Sequence, residues 1–87
     1  MAPIDKAPEK LDAGGPVRLE PGAQGDAVIE LKRRLRRWYE LRGEVPPRRM
    51  RGPVYGTSAV EAVRRVQREC GLKPDGIVGP ETWSALP

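Results

Sequence analysis

The stretch G71-L-K-P-D-G-I-V-G-P-E-T-W-S-A-L86 decides how this chain folds at its end. Its Pro-Asp-Gly core predicts a tight turn, because proline presets one backbone angle, aspartate accepts hydrogen bonds from nearby amides and glycine permits positive φ. Gly79 and Pro80 then predict the start of a short helix, with Glu81 favourable in its first turn. Trp83 follows on the side expected to face the rest of the protein. The stretch therefore predicts a rigid turn that positions a short C-terminal helix.

A first amphipathic helix is predicted at about 26–41. Its apolar positions recur at steps of three and four residues, with arginines and a lysine between them: Val28, Leu31, Leu35 and Trp38. Asp26 is the predicted N-cap, and Gly43 is the predicted stop. The following residues, up to the second helix, have the proline, glycine and charge content of a loop.

A second amphipathic helix is predicted from about residue 57 to residue 70. Its apolar face is formed by Ala59, Val60, Val63 and Val66. Ser58 and Glu61 have the spacing of a capping box, and Gly71 is the expected left-handed residue after the helix. Cys70 is expected to be a small apolar filler at the end of this helix.

Length and composition predict a single small domain. The first sixteen residues, MAPIDKAPEKLDAGGP, show no helical or strand period and hold few apolar side chains, so residues 1–16 are predicted to be a flexible tail. Residues 17–87 are predicted to fold as an all-α, small three-helix bundle with short turns. With one cysteine and no histidine, the chain cannot form an internal disulfide or an ordinary zinc site. No cofactor and no metal are expected.

Catalysis is not predicted. Without histidine, the usual general base for a serine or cysteine nucleophile is missing. Asp75 and Glu81 are the closest carboxylate pair near the C-terminal motif, but one belongs to a turn and the other to a helix start. So small a chain has little room to bury either of them, as a glycosidase would require. The sequence also shows no secretory signal and no apolar run of membrane-spanning length.

The net charge of +4 is unevenly distributed. Residues 18–51 hold ten Lys/Arg and five Asp/Glu, whereas residues 52–87 hold four of each. The basic face of the first helix is interpreted as a solvated surface, with binding of teichoic-type polymers, carboxylates or nucleic acid as the alternative. A DNA-binding helix-turn-helix is disfavoured, because the basic excess lies on the first helix and because the connection to the second helix is too long.

A weak internal repeat is visible. The run V54-Y-G-T-S-A59 parallels I77-V-G-P-E-T82, as an apolar pair, a glycine and a helix start. The V-x-x-L-K of Val28 to Lys32 likewise resembles the V-x-x-V-Q of Val63 to Gln67. The sequence thus predicts two related helix-and-turn units within one domain.

Four segments together resemble the peptidoglycan-binding domain family found beside cell-wall hydrolases: G25-D-A-V-I-E-L-K-R-R-L35, Y55-G56, A62-V-R-R-V-Q67 and G71 to W83. The resemblance implies a three-helix fold that binds bacterial peptidoglycan, through its glycan or its stem peptide, and that carries no catalysis. It implies action at the cell wall or periplasm and a tethered or associated hydrolase. A docking module of a phage tail or injection machine, or a basic nucleic-acid-binding helical domain, is the alternative. Nucleic acid and membrane are not expected as partners of a wall-binding domain, and a monomer is expected.

The resemblance also suggests candidate ligand residues, expected to line or shape a shallow groove between the C-terminal turn and the first two helices: Lys32, Tyr55, Gln67, Asp75, Gly76 and Trp83. Lys32 stands where the family usually has glutamine and would assume its hydrogen-bonding role. Tyr55 is expected to be partly exposed. Trp83 is expected in the core, with a ligand-facing edge as the alternative, and Gln67 either binds ligand or holds a neighbouring loop.

Overall fold

The computed structural model describes residues 17–48 and 50–87. Three helices occur within them: α1 spans Asp26–Leu41, α2 spans Thr57–Glu69 and α3 spans Pro80–Ala85. These residues contain two isolated β-bridges and no strand, so the predicted all-α class is confirmed. The predicted tail at residues 1–16 lies outside the described residues. No helix in the described part of the chain is both long and apolar enough to cross a membrane.

Each helix begins after a glycine rather than after a polar cap. Gly25, Gly56 and Gly79 are the N-caps, and none of the three helices has a side-chain cap hydrogen bond. The predicted N-cap at Asp26 and the predicted capping box of α2 are therefore wrong. Asp26 is instead the first residue of α1, where its carboxylate still faces the positive end of the helix dipole.

Helices α1 and α2 both end at the glycines that the sequence predicts, Gly43 and Gly71. Gly71 adopts φ 74°, its N–H bonds the Arg68 carbonyl at 3.3 Å, and the Leu72 N–H bonds the Gln67 carbonyl at 2.7 Å. This pair of bonds is a Schellman motif, and Gly43 ends α1 in the same way. Cys70 lies one residue beyond α2 and is exposed, so its predicted role as an apolar filler is wrong.

The segment before α1 runs between the two turns and pairs with both. We call residues 51–56 the first turn and residues 71–79 the terminal turn. Leu19 exchanges two backbone hydrogen bonds with Val78, at 2.9 and 2.8 Å, and Tyr55 does the same with Gly22 and Ala23. The two repeats, each an apolar pair followed by a glycine, thus have the same role: each pairs with the segment before α1, and a helix begins directly after it.

The core lies between the helices and the segment that precedes α1. Helix α2 packs against both α1 and α3. The buried apolar residues come from all of these elements: Leu19, Val28, Leu31, Leu35, Trp38, Tyr39, Met50, Tyr55, Ala59, Ala62, Val63, Val66, Val78, Trp83 and Leu86. Burying these side chains is the main favourable contribution to folding. With a single cysteine, the chain has no internal disulfide to add to it.

Candidate functional site

The terminal turn is held in one conformation by Asp75 and Gly76. The Asp75 carboxylate accepts a 2.9 Å hydrogen bond from the Ile77 N–H, and Gly76 adopts φ 78°. This bond, together with hydrogen bonding from Gln67 and the charge of Lys73, lowers the pKa of Asp75 below its ordinary value. Asp75 is exposed. Both predicted features of the turn, the aspartate accepting local amides and the positive-φ glycine, are confirmed.

Gln67 reaches the same turn from beneath. Its side-chain oxygen accepts a 3.0 Å bond from the Gly76 N–H, and its amide nitrogen donates to the Ile77 carbonyl at 2.9 Å and to the Thr82 hydroxyl at 3.1 Å. The side chain is 1% exposed. Of the two predicted roles, the structure supports the holding of a neighbouring loop, since both the oxygen and the nitrogen of the amide are bonded to backbone groups of the terminal turn.

Tyr55 connects the first turn to the terminal turn. Its hydroxyl donates a 2.6 Å hydrogen bond to the Gly76 carbonyl, and the residue is fully buried. The predicted partial exposure is therefore wrong. The backbone of Tyr55 is paired with Gly22 and Ala23, and its side chain lies in the core. Burial raises the pKa of the Tyr55 hydroxyl, and the nearby Asp75 carboxylate raises it further.

Lys32 holds the first turn much as Gln67 holds the terminal turn. Its ammonium donates to the backbone carbonyls of Arg51, at 2.7 Å, and Gly52, at 2.9 Å. The residue is 3% exposed, and its pKa is lowered by burial first and by the charge of Arg36 second. A buried lysine paired with two carbonyls is a structural element of the first turn, in addition to any role toward a ligand.

Trp83 lies in the core, as predicted. It is largely buried, and its indole N–H donates a 2.8 Å hydrogen bond to the Val17 carbonyl. The Arg34 guanidinium lies 5.4 Å from the centroid of the ring. Trp83 therefore fixes α3 and the start of the described chain to each other.

A shallow groove of about 510 Å³ lies beside the terminal turn and α3. We call it the terminal-turn groove, and its lining residues are Arg18, Gln67, Leu72, Lys73, Asp75, Ile77, Gly79, Pro80, Glu81 and Thr82. Helix α1 contributes no lining residue to this groove, whereas Arg18 comes from the segment before α1. Of the six candidate residues, Asp75 and Gln67 line it. Tyr55 and Gly76 are hydrogen-bonded to each other beside it.

The exposed polar residues of the groove carry charges of both signs. Arg18 and Lys73 bring two cations, and Asp75 and Glu81 bring two carboxylates. Arg18 and Lys73 were not predicted as site residues. Lys73 stands within the quoted motif, whereas the position of Arg18 depends on the pairing of Leu19 with Val78, for which the local sequence gives no signal. In the described residues, no group of three or more His, Cys, Asp or Glu side chains could hold a metal ion.

Comparison with known proteins identifies the family of the fold. The model of the family described as "Putative peptidoglycan binding domain", a domain that binds and does not itself catalyse, matches residues 24–86. The spore cortex-lytic enzyme of Halalkalibacterium halodurans is 40% identical over 68 residues, which cover 78% of this chain and 19% of that enzyme. A Kitasatospora aureofaciens protein described as "Uncharacterized protein in bpoA1 3'region" is 53% identical over 32 residues, 37% of this chain and 27% of that protein.

The chain thus spans about a fifth to a quarter of the length of these two relatives. No solved structure matches it. The family match covers α1, α2, α3 and both turns, which includes most of the terminal-turn groove. The chain therefore belongs to the peptidoglycan-binding domain family.

Proposed function

We propose that this domain binds bacterial peptidoglycan without chemical change, through the terminal-turn groove, and brings an attached or associated partner to the wall. The observation that carries the proposal is the family match over residues 24–86. The similarity to an enzyme named for lysis of the spore cortex supports a wall hydrolase as the kind of partner. We further propose that the three helices form a bundle of the family's type, with α2 between the other two.

The chemistry of the groove favours the stem peptide as the contacted part of the wall. Stem peptides carry both free carboxylates and amino groups, which Arg18 with Lys73 and Asp75 with Glu81 complement. Leu72 and Ile77 add apolar surface between these charges. The groove is open and shallow, so each contact is weak, and strong retention would come from the repetition of sites along the wall.

Co-sedimentation with purified, insoluble peptidoglycan tests the proposal. We expect the domain to be retained on the sacculi (the isolated wall polymer) at moderate salt, with duplex DNA bound more weakly and lost steeply as salt rises. Loss from sacculi at every salt concentration would contradict wall binding. Soluble stem peptide should compete for retention, whereas competition only by glycan fragments would contradict the stem-peptide contact.

Matched variants locate the contact. Arg18→Ala and Glu81→Ala should each weaken retention by about two- to fivefold, the size expected when an exposed charge loses its partner. Arg68→Ala and Glu40→Ala remove the same two residue types from exposed positions outside the groove and should leave retention unchanged. Equal effects in the two pairs would place the contact elsewhere. Melting temperatures of all four variants control for stability.

A further inference from the structure

A second pocket, beside the first turn, carries an unbalanced positive charge. It encloses about 240 Å³ and is lined by Ile29, Lys32, Arg36, Arg51 and Gly52. Three of these five residues are cationic and none is acidic. We call this space the first-turn pocket, and it shares no residue with the terminal-turn groove.

Within the described residues, two of the three cations of this pocket, Lys32 and Arg36, are hydrogen-bonded to neutral backbone carbonyls only. The Lys32 ammonium uses two of its three N–H donors on the carbonyls of Arg51 and Gly52, and the Arg36 guanidinium donates to the Met50 carbonyl at 3.1 Å. Within the described part of the chain, no carboxylate forms an ion pair with Lys32, Arg36 or Arg51. Burial lowers the pKa of Lys32, and repulsion from the positive charge of Arg36 lowers it further. An anion in the pocket would relieve that repulsion.

The internal repeat indicates that the charge at position 32 is not needed to hold the turn. Lys32 on α1 follows Leu31 as Gln67 on α2 follows Val66. Gln67 holds the terminal turn with a neutral amide, through bonds to Gly76 and Ile77. Burying the charged Lys32 at the equivalent place in the first turn therefore costs free energy that a neutral amide would not cost. Within the described part of the chain, the third N–H donor of Lys32 has no hydrogen-bond partner.

We propose that the first-turn pocket binds a phosphate group of a phosphodiester polymer in the cell wall, through Lys32, Arg36 and Arg51. A phosphodiester group suits the pocket because its charged, unesterified oxygens accept strong hydrogen bonds from ammonium and guanidinium groups. The choice of a wall polymer rests on the proposed function, whereas the anion site itself does not.

Titration of the domain with glycerol phosphate, followed by backbone amide shifts in NMR, tests the anion site. The wild type should show saturable shifts at Lys32, Arg36, Arg51 and Gly52. Lys32→Gln and Arg51→Gln should each weaken this binding by about tenfold, the size of one charged hydrogen bond, while Arg68→Gln leaves it unchanged. Arg51→Gln changes a side chain whose backbone carbonyl, and not its guanidinium, contacts Lys32, so the first turn is kept. Shifts that do not saturate, or that are equal in all variants, would overturn the site.

Co-sedimentation distinguishes the anion site from wall binding through the terminal-turn groove. Sacculi that keep their phosphodiester polymers should retain the wild type more strongly than sacculi stripped of them with hydrogen fluoride, and Arg51→Gln should abolish this difference. A wild type retained equally on both preparations would overturn the polymer as ligand while leaving the proposed function intact. A domain held on neither preparation would overturn both. Tighter Arg51-dependent binding to duplex DNA than to the unstripped sacculi would also overturn the wall polymer as ligand.

Discussion

The Tyr55 hydroxyl donates a 2.6 Å hydrogen bond to the Gly76 carbonyl and so joins the first turn to the terminal turn. The two residues are 21 positions apart, and both are buried. Gly76 is also bonded through its N–H to Gln67. The peptide groups on the two sides of Gly76 are thus fixed by one side chain from the first turn and one from α2, which makes the floor of the terminal-turn groove rigid.

Tyr55→Phe should destabilise the fold by about 1 to 3 kcal/mol, because it leaves a buried carbonyl without this donor while it preserves the ring. Urea denaturation gives the free energy of unfolding. Amide hydrogen exchange should become faster in residues 75–77 in particular, since the terminal turn loses its connection to the first turn. Unchanged stability together with unchanged exchange would mean that the bond contributes nothing.

Gly76→Val should be more damaging than the same change at Gly43. Both glycines have positive φ, 78° and 73°, where a β-branched residue is strained by about 1 to 3 kcal/mol. A Cβ at Gly76 would also lie 3.1 Å from a methyl carbon of Val60, whereas nothing lies within 4 Å at Gly43. The extra crowding should add about 1 kcal/mol or more. Thermal unfolding of the two variants measures the difference, and equal losses would show that Val60 moves aside freely.

The helices and their ends could be predicted from sequence because their signals are local. The apolar spacing of α1 gave its bounds, and Gly43 and Gly71 gave the positive-φ ends. The N-cap of α1 was misplaced by one residue, because an aspartate after a glycine satisfies the polar-cap pattern although Gly25 occupies the cap position. The capping-box serine, Ser58, lies two residues beyond the N-cap of α2, Gly56. In this chain glycines, and not the neighbouring polar residues, occupy the N-cap positions of the helices.

The depth of the polar site residues could not be predicted, because it depends on contacts distant in sequence. Lys32 lies on the edge of the apolar stripe of α1, and only the first turn, about twenty residues later, supplies the carbonyls that bury it. The backbone of Tyr55 pairs with a segment more than thirty residues earlier. Arg18 enters the groove through the pairing of Leu19 with Val78. The Pro-Asp-Gly motif thus predicted the terminal turn, but not the residues from other parts of the chain that lie beside it.

The Asp75 carboxylate should titrate below its ordinary value of 3.8 in the folded protein. Since its pKa is lowered on folding, its contribution to stability is present above pH 3.8 and is lost as the pH falls through the folded-state pKa. The Ile77 amide shift in NMR reports this carboxylate directly, because the two are hydrogen-bonded. Its acid titration should have a midpoint below 3.8 and should disappear in Asp75→Asn. A midpoint at or above 3.8 would contradict the hydrogen-bonded turn.

Two substitutions of Trp83 separate its ring from its N–H group. Trp83→Ala should destabilise the protein by about 3 to 5 kcal/mol, because it removes a large buried side chain. Trp83→Phe keeps an aromatic ring in the core but removes the hydrogen bond to the Val17 carbonyl. Its cost should be smaller, and the loss should concentrate in the segment before α1.

The Phe variant therefore connects stability with binding. Because Val17 precedes Arg18, loosening this segment should weaken the placement of Arg18 in the terminal-turn groove. We expect faster amide exchange at Leu19 and reduced retention on sacculi, by no more than in Arg18→Ala, while α1 and α2 keep their protection. If Trp83→Phe unfolded as easily as Trp83→Ala, the indole N–H would matter to the whole core. If retention stayed at the wild-type level despite faster exchange at Leu19, Arg18 would have no part in binding the wall.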